Sequence, residues 1–87
     1  MNTHWLKVWS EYYDDVVSGR KPFEVRVDDR TPPYEVGDTL ILADWDKDER
    51  KYVGRECEKE VTYVLRDPKF VLPDHCIMGI KEIDHGR

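Results

Sequence analysis

Eight consecutive residues, Gly19-Arg20-Lys21-Pro22-Phe23-Glu24-Val25-Arg26, set a lysine, a glutamate and two arginines beside a glycine, and Arg30 follows just past Asp28 and Asp29. A hydrophobic core has no need of these charges. A groove does, because fixed cationic donors next to a carboxylate can hold an anion and read the edge of a polar ring. Lys21 can contact a phosphate or a carbonyl oxygen. Glu24 can accept from an exocyclic amine or ring N–H, and Arg26 can orient Glu24 or form a fork to the ligand. The same trio reads equally well as an internal salt-bridge network.

The elements that must position these groups follow from periodicity. Trp5 to Trp9 has strand composition. Ser10 suits a helix N-cap, and Glu11 favours the positive end of the helix that follows. Tyr12, Tyr13, Val16 and Val17 then recur at helical spacing, with Glu11, Asp14 and Asp15 on the other face. Gly19 falls where a left-handed C-terminal cap is expected, so Arg20 and Lys21 emerge at the negative end of that helix. Phe23 to Val27 alternates as a strand, predicting Phe23, Val25 and Val27 on the core side and Glu24, Arg26 and Asp28 outside.

Thr31-Pro32-Pro33 breaks that strand, and Gly37-Asp38 turns the chain into an apolar strand over Thr39 to Trp45. A charged hairpin tip at Asp46 to Lys51 reads as a solvated loop. Further strands are predicted over Glu58 to Arg66 and His75 to Ile83, with a proline-bearing connection over Asp67 to Asp74. The fold class is therefore mainly β (α+β): a small, largely antiparallel barrel of about five strands with one or two short helices.

An 87-residue chain supports one domain, residues 1–87, with one core. Three Trp, five Tyr and two Phe are available to seal it, most of the tryptophans included, leaving at most one exposed stacking platform among Trp5, Trp9, Tyr34 and Trp45. No apolar run reaches the roughly 20 residues that span a bilayer, and no signal-peptide layout opens the chain. A cytoplasmic monomer with no membrane association is expected. Cys57 and Cys76 lack CxxC spacing and read as small hydrophobes on strands. With His4, His75 and His85 scattered, no metal and no cofactor are assigned. The net charge of −5 argues against indiscriminate binding to polyanions. Residues 19–30 carry four basic groups against three acidic, whereas residues 35–60 carry five against nine. A nucleic acid would thus bind at a restricted site.

Gly19-x-Lys21-x-x-Glu24-x-Arg26, preceded by a short helix and followed by Val36-Gly37-Asp38, resembles the signature of ASCH domains in the PUA-like superfamily. His4-x-Leu6-Lys7, Tyr52-x-Gly54-Arg55 and Val61-Thr62-Tyr63-Val64-Leu65 fall as in a small, uncharacterised ASCH-like family of phages and bacteria, so the resemblance covers roughly residues 4–83. It implies a PUA-like barrel whose ligand cleft, beside the helix, is lined by Lys21, Glu24 and Arg26, with Arg30 at its edge and His4 and Lys7 as second-rank members. The ligand it implies is RNA or a nucleotide- or nucleoside-sized molecule with a modified base.

Some ASCH proteins are similar to amidohydrolases of N-acylated cytidines, which pair the motif lysine with a threonine nucleophile. Here Lys21 is kept, but Pro22 and Glu24 stand where those enzymes look like Gly-x-Lys-Thr-x-Thr-x-Arg. Lys21 and Glu24 are the candidates for general acid–base chemistry if catalysis occurs at all, and a binding module is expected over an enzyme. A protein-interaction module is the third class. On this reading, Lys21→Ala and Arg26→Ala weaken ligand binding and leave stability nearly unchanged.

Overall fold

The computed structural model describes residues 1–84. Strict alternation along β1 (Thr3–Trp9) turns His4, Leu6 and Val8 inward and leaves Trp5, Lys7 and Trp9 outside. The chain then passes directly into α1 (Ser10–Ser18), which inserts Tyr13 and Val16 into the core. β2 (Phe23–Val27), β3 (Thr39–Asp46), β4 (Lys51–Leu65) and β5 (His75–Glu82) complete a single sheet of order β1-β3-β4-β5-β2. β1 runs parallel to β3, and the other pairs are antiparallel. The sheet curls into a half-barrel. Its inner face gathers Leu6, Val8, Leu40, Leu42, Val61, Cys76, Met78 and Ile80, and Tyr34 joins them from the loop before β3.

The mainly β, five-strand architecture with one short helix is the one the alternation predicts. Several local expectations need correction. The core is aliphatic with two tyrosines, Tyr13 and Tyr34, whereas Trp5, Trp9 and Phe23 are exposed and Trp45 is half-buried. Alternation decides this: once Leu6 and Val8 face inward, Trp5 and Trp9 cannot. Ser10 is the first helical residue and caps nothing; its hydroxyl donates to the buried carboxylate of Asp44. Within the helix, Tyr12 and Val17 remain exposed. The charged tip between β3 and β4 also does more than meet solvent, since Lys47 pairs with Glu11 at 2.8 Å and stands over the Trp9 ring. β4 begins at Lys51, seven residues before the predicted strand. Its first half is exposed throughout, so no alternation marks it.

Asp38 fastens the start of β3. Its carboxylate accepts from the Asn2 and Glu35 backbone N–H groups and pairs with His4 Nε2, each at 2.9 Å, and its side chain is fully buried. The His4 ring in turn lies 4.7 Å from that of Tyr34. Burial alone would raise the Asp38 pKa. The donations from Asn2, His4 and Glu35 outweigh it and hold the carboxyl below its ordinary 3.8.

A carboxyl whose folded pKa is depressed contributes stability in full above the unfolded value, and loses it as the pH falls through the folded value. Stability is therefore expected to drop as the pH falls below about 4, and Asp38→Asn should lack that share of the acid dependence. Asp38→Ala, which strands two part-buried N–H groups and the buried His4 ring, should cost about 3 kcal/mol or more. Urea denaturation across a pH series measures both.

Candidate functional site

Gly19 makes the turn that starts the site. It adopts the left-handed conformation at φ 86°, which terminates α1 while its N–H donates to Val16 O. The Lys21 N–H returns to Asp15 O at 2.9 Å, so the chain leaves the helix toward β2 with Lys21 at the junction. Arg20 stays outside in an exposed pair with Asp15.

β2 then presents its faces the other way round from the sequence expectation. Glu24 is buried and Arg26 half-buried, while Phe23, Val25 and Val27 are 42–49% exposed. Register with β5 is the reason. Directly paired residues point to the same side of a sheet, and Glu24 pairs with Met78 and Arg26 with Cys76, both core residues of β5. Phe23, Val25 and Val27 pair with Gly79, Ile77 and His75 on the outer face. Period two specifies that the faces differ; the partner strand specifies which is inside.

A carboxylate on the inner face requires partners. Glu24 Oε2 accepts from Lys21 Nζ at 2.5 Å, and Oε1 accepts from Arg26 Nε at 3.2 Å and Nη2 at 2.8 Å. Lys21 Nζ also donates to Phe23 O. No buried side-chain nitrogen or oxygen is left without a partner among the described residues.

The triad stands at the seam of the half-barrel. β1 and β2 are the two edges of the sheet, and no ladder joins them among the described residues. Arginines bridge the gap instead: Arg26 Nη2 donates to Lys7 O at 2.6 Å and Arg30 Nη2 to Trp5 O at 3.1 Å. Charged side chains occupying an edge also block strand addition there.

Beside the bridge a cavity of about 350 Å³ opens between β1, α1 and β2, with Lys7, Trp9, Tyr12, Lys21, Glu24 and Arg26 among its walls. A second, of about 320 Å³, adjoins it and shares Lys7 and Arg26; Trp5, Arg30 and Tyr52 help to line it. Three cations thus face one carboxylate in the first cavity, and Arg30 adds a fourth cation in the second, on a chain whose net charge is −5. Lys7 makes no ion pair among the described residues; its Nζ stands 3.8 Å from the centroid of the Trp45 ring.

Of the residues singled out in the sequence, the structure brings Lys7, Lys21, Glu24 and Arg26 together and sets Arg30 next to them. It does not bring His4, which lies on the core side of β1 against Asp38. His75 is on β5 with its Nδ1 2.8 Å from Pro73 O, and His85 lies outside the described residues. Cys57 and Cys76 are free thiols, their pKa values raised by burial. No cluster of three His, Cys, Asp or Glu side chains is placed to hold a metal ion among the described residues. No helix there is long and apolar enough to cross a membrane.

Sequence reasoning missed a third buried carboxylate, Asp44. It is held by Ser10 and by Arg55 Nε and Nη2 at 3.0 and 2.8 Å, and Arg55 reaches on to Asp14. The β3–β4 register shifts between Ala43 and Trp45, and Gly54 at φ 103° supplies the left-handed backbone of that bulge. The Tyr52-x-Gly54-Arg55 spacing was its signal. Tyr13, whose ring lies under the Arg55 guanidinium, has its pKa pushed up to about 12, chiefly by burial.

These features define a single-sheet β half-barrel with a cationic, aromatic-walled seam beside its one helix. The chain belongs to the DUF3850 family, a domain of unknown function, whose model matches residues 3–80. It is also similar to the uncharacterized 12.9 kDa protein in the GpA 3' region of Escherichia phage P2, with 41% identity over 61 residues. That match covers 70% of this chain and 52% of the phage protein, so the chain aligns with about half of its relative's length.

The buried position of Glu24 changes what alanine substitutions should do. Glu24→Ala leaves two inward cations unneutralised and is expected to cost about 3 kcal/mol. Lys21→Ala or Arg26→Ala alone should cost roughly 1–2 kcal/mol, since one cation still pairs with Glu24. Removing both should cost more than the sum. Urea midpoints for the three single variants and the Lys21/Arg26 double variant measure the coupling.

Proposed function

We propose that this protein is an ASCH-like, PUA-type binding module that takes RNA or a nucleotide-sized ligand in the seam cleft. The observation that carries the reading is the seam itself. It is a concave site in which Lys7, Lys21 and Arg26 converge on an acidic chain, flanked by the rings of Trp9 and Tyr12. Cations in such a place serve phosphate, and aromatic walls serve bases. Glu24 adds an acceptor for an amine or ring N–H, and its remaining lone pair is free for this purpose. The donors are also fixed in advance. Lys21 keeps one proton beyond its bonds to Glu24 and Phe23 O, and Arg26 keeps its Nη1 donors.

Hydrolysis is less well served by the same geometry. The first cavity has no Ser, Thr or Cys among its lining residues, so no hydroxyl or thiol of that kind stands beside Lys21. Lys21 is instead committed to an ion pair with Glu24.

The test is an NMR titration of labelled protein with nucleosides, N-acylated cytidine and short single-stranded RNAs, with product formation followed in the same samples. Shifts localised at Lys7, Lys21, Glu24, Arg26 and the Trp9 indole without turnover are the expected result. Lys7→Ala should weaken binding about fivefold or more, the scale of one charge-assisted contact. It should leave the thermal midpoint nearly unchanged, because Lys7 is exposed and unpaired. Turnover of the acylated nucleoside would restore the hydrolase. An absence of any shift would overturn the nucleic-acid reading and favour the protein-interaction module, for which the exposed Phe23, Val25, Val27 and Tyr63 offer apolar surface.

A further inference from the structure

Resting on that reading, we infer that the seam is built for a segment of single-stranded nucleic acid at least two nucleotides long, with a bridging phosphate at Lys7 and Arg26 and a base in each of the two adjoining cavities. Size is the first argument. At about 350 and 320 Å³ the cavities stand at the lower end of the roughly 300–1,000 Å³ typical of small-molecule sites, so each suits one nucleoside.

Sharing is the second argument. The residues common to both cavities are Lys7 and Arg26, the two cations at the crossing, while each cavity has its own aromatic surface. Trp9 and Tyr12 belong to the first, their rings stacked at 18° with centroids 6.3 Å apart. Trp5 and Tyr52 belong to the second. A cation pair between two ring-walled chambers matches the order base, phosphate, base.

The strand supplies the spacing. Trp5, Lys7 and Trp9 alternate along β1, so all three project from its outer face, with the two tryptophan Cα atoms about 13 Å apart along the backbone and that of Lys7 midway. Trp5 is 59% exposed and Trp9 47%; Lys47 Nζ stands over the Trp9 ring and Tyr12 is stacked against it, so a base at Trp9 takes the place of one of these neighbours. Arg30 lines the second cavity and can meet a further phosphate there.

The experiment is a length series on the intact protein, read by tryptophan fluorescence. It compares adenosine 5'-monophosphate, adenylyl-adenosine and the trinucleotide, each as ribose and deoxyribose forms. Adenylyl-adenosine adds a second nucleoside and carries about one negative charge fewer than the mononucleotide, so the inference expects it to bind about 5- to 150-fold more tightly, the range for stacking one base, with no contribution from charge. A gain in either sugar series supports the inference and identifies the strand. Trp5→Ala and Trp9→Ala should each reduce the dinucleotide's affinity to near that of the mononucleotide. Equal affinity for the mononucleotide and the dinucleotide would overturn the two-subsite inference and leave the nucleotide-binding reading standing. No binding by any member would overturn both.

Discussion

Glu24 is the charge around which the seam is organised. It stands on the inner face of the last strand of the sheet, where an unpaired carboxylate would be strongly unfavourable, and the three groups around it follow from that position. Lys21 must reach it from the helix junction, Arg26 must fold back along the strand, and Arg26 then has donors left for Lys7 O on the facing edge. One carboxylate thereby ties α1, β2 and β1 together at the place where the sheet does not close.

The same device recurs at the two ends of β3. Asp38 collects His4 and two backbone N–H groups near its start, and Asp44 collects Ser10 and Arg55 near its end. Each acid joins segments that the ladder leaves apart: the N-terminus and the loop before β3 in one case, the helix and the β4 bulge in the other. A small half-barrel with few aromatic side chains inside has limited apolar area to bury. Buried carboxylates with complete hydrogen-bond shells do not replace that area, since the desolvation of an ion offsets much of its pairing. They fix which segments meet, and removing the acid itself leaves its donors stranded together.

Much of the fold was legible in the sequence, and the reasons for the gaps are physical. Alternation marked β2 and the second half of β4, composition marked β1, and Gly19 marked the end of α1, because period, composition and backbone conformation are local properties. The side on which Glu24 lies is not local. It is set by pairing with Met78 more than fifty residues away, and a one-residue change of register would have turned Phe23 and Val25 inward instead. The tryptophans were misplaced for the same reason, since residue type favours burial but β1 had already given its inner positions to His4, Leu6 and Val8. Asp44 was invisible because a lone acid next to a charged loop reads as solvated until its arginine is known to return through a bulge. Within the cleft, the cluster Lys21, Glu24, Arg26 was legible as a motif, whereas the contribution of Trp9 and Tyr12 to the same cavity required the helix to be placed.

Structural and ligand-binding readings of the triad are not opposed in this geometry. A flexible lysine or arginine loses rotamer freedom when it grips a ligand, at a cost of about 0.5–1.5 kcal/mol for each side chain immobilised. Lys21 and Arg26 have already lost it to Glu24, and the fold bears that cost through the ion pairs and the bridge to β1. Under the proposed function their spare donors would meet a phosphate or a base edge without further ordering. Lys7 is in the opposite position: exposed and without an ion pair among the described residues, it is stacked over Trp45. On the proposed reading the salt-bridge network is thus what would prepare the seam for a ligand, and the carboxylate that demands it is the residue that fixes both cations.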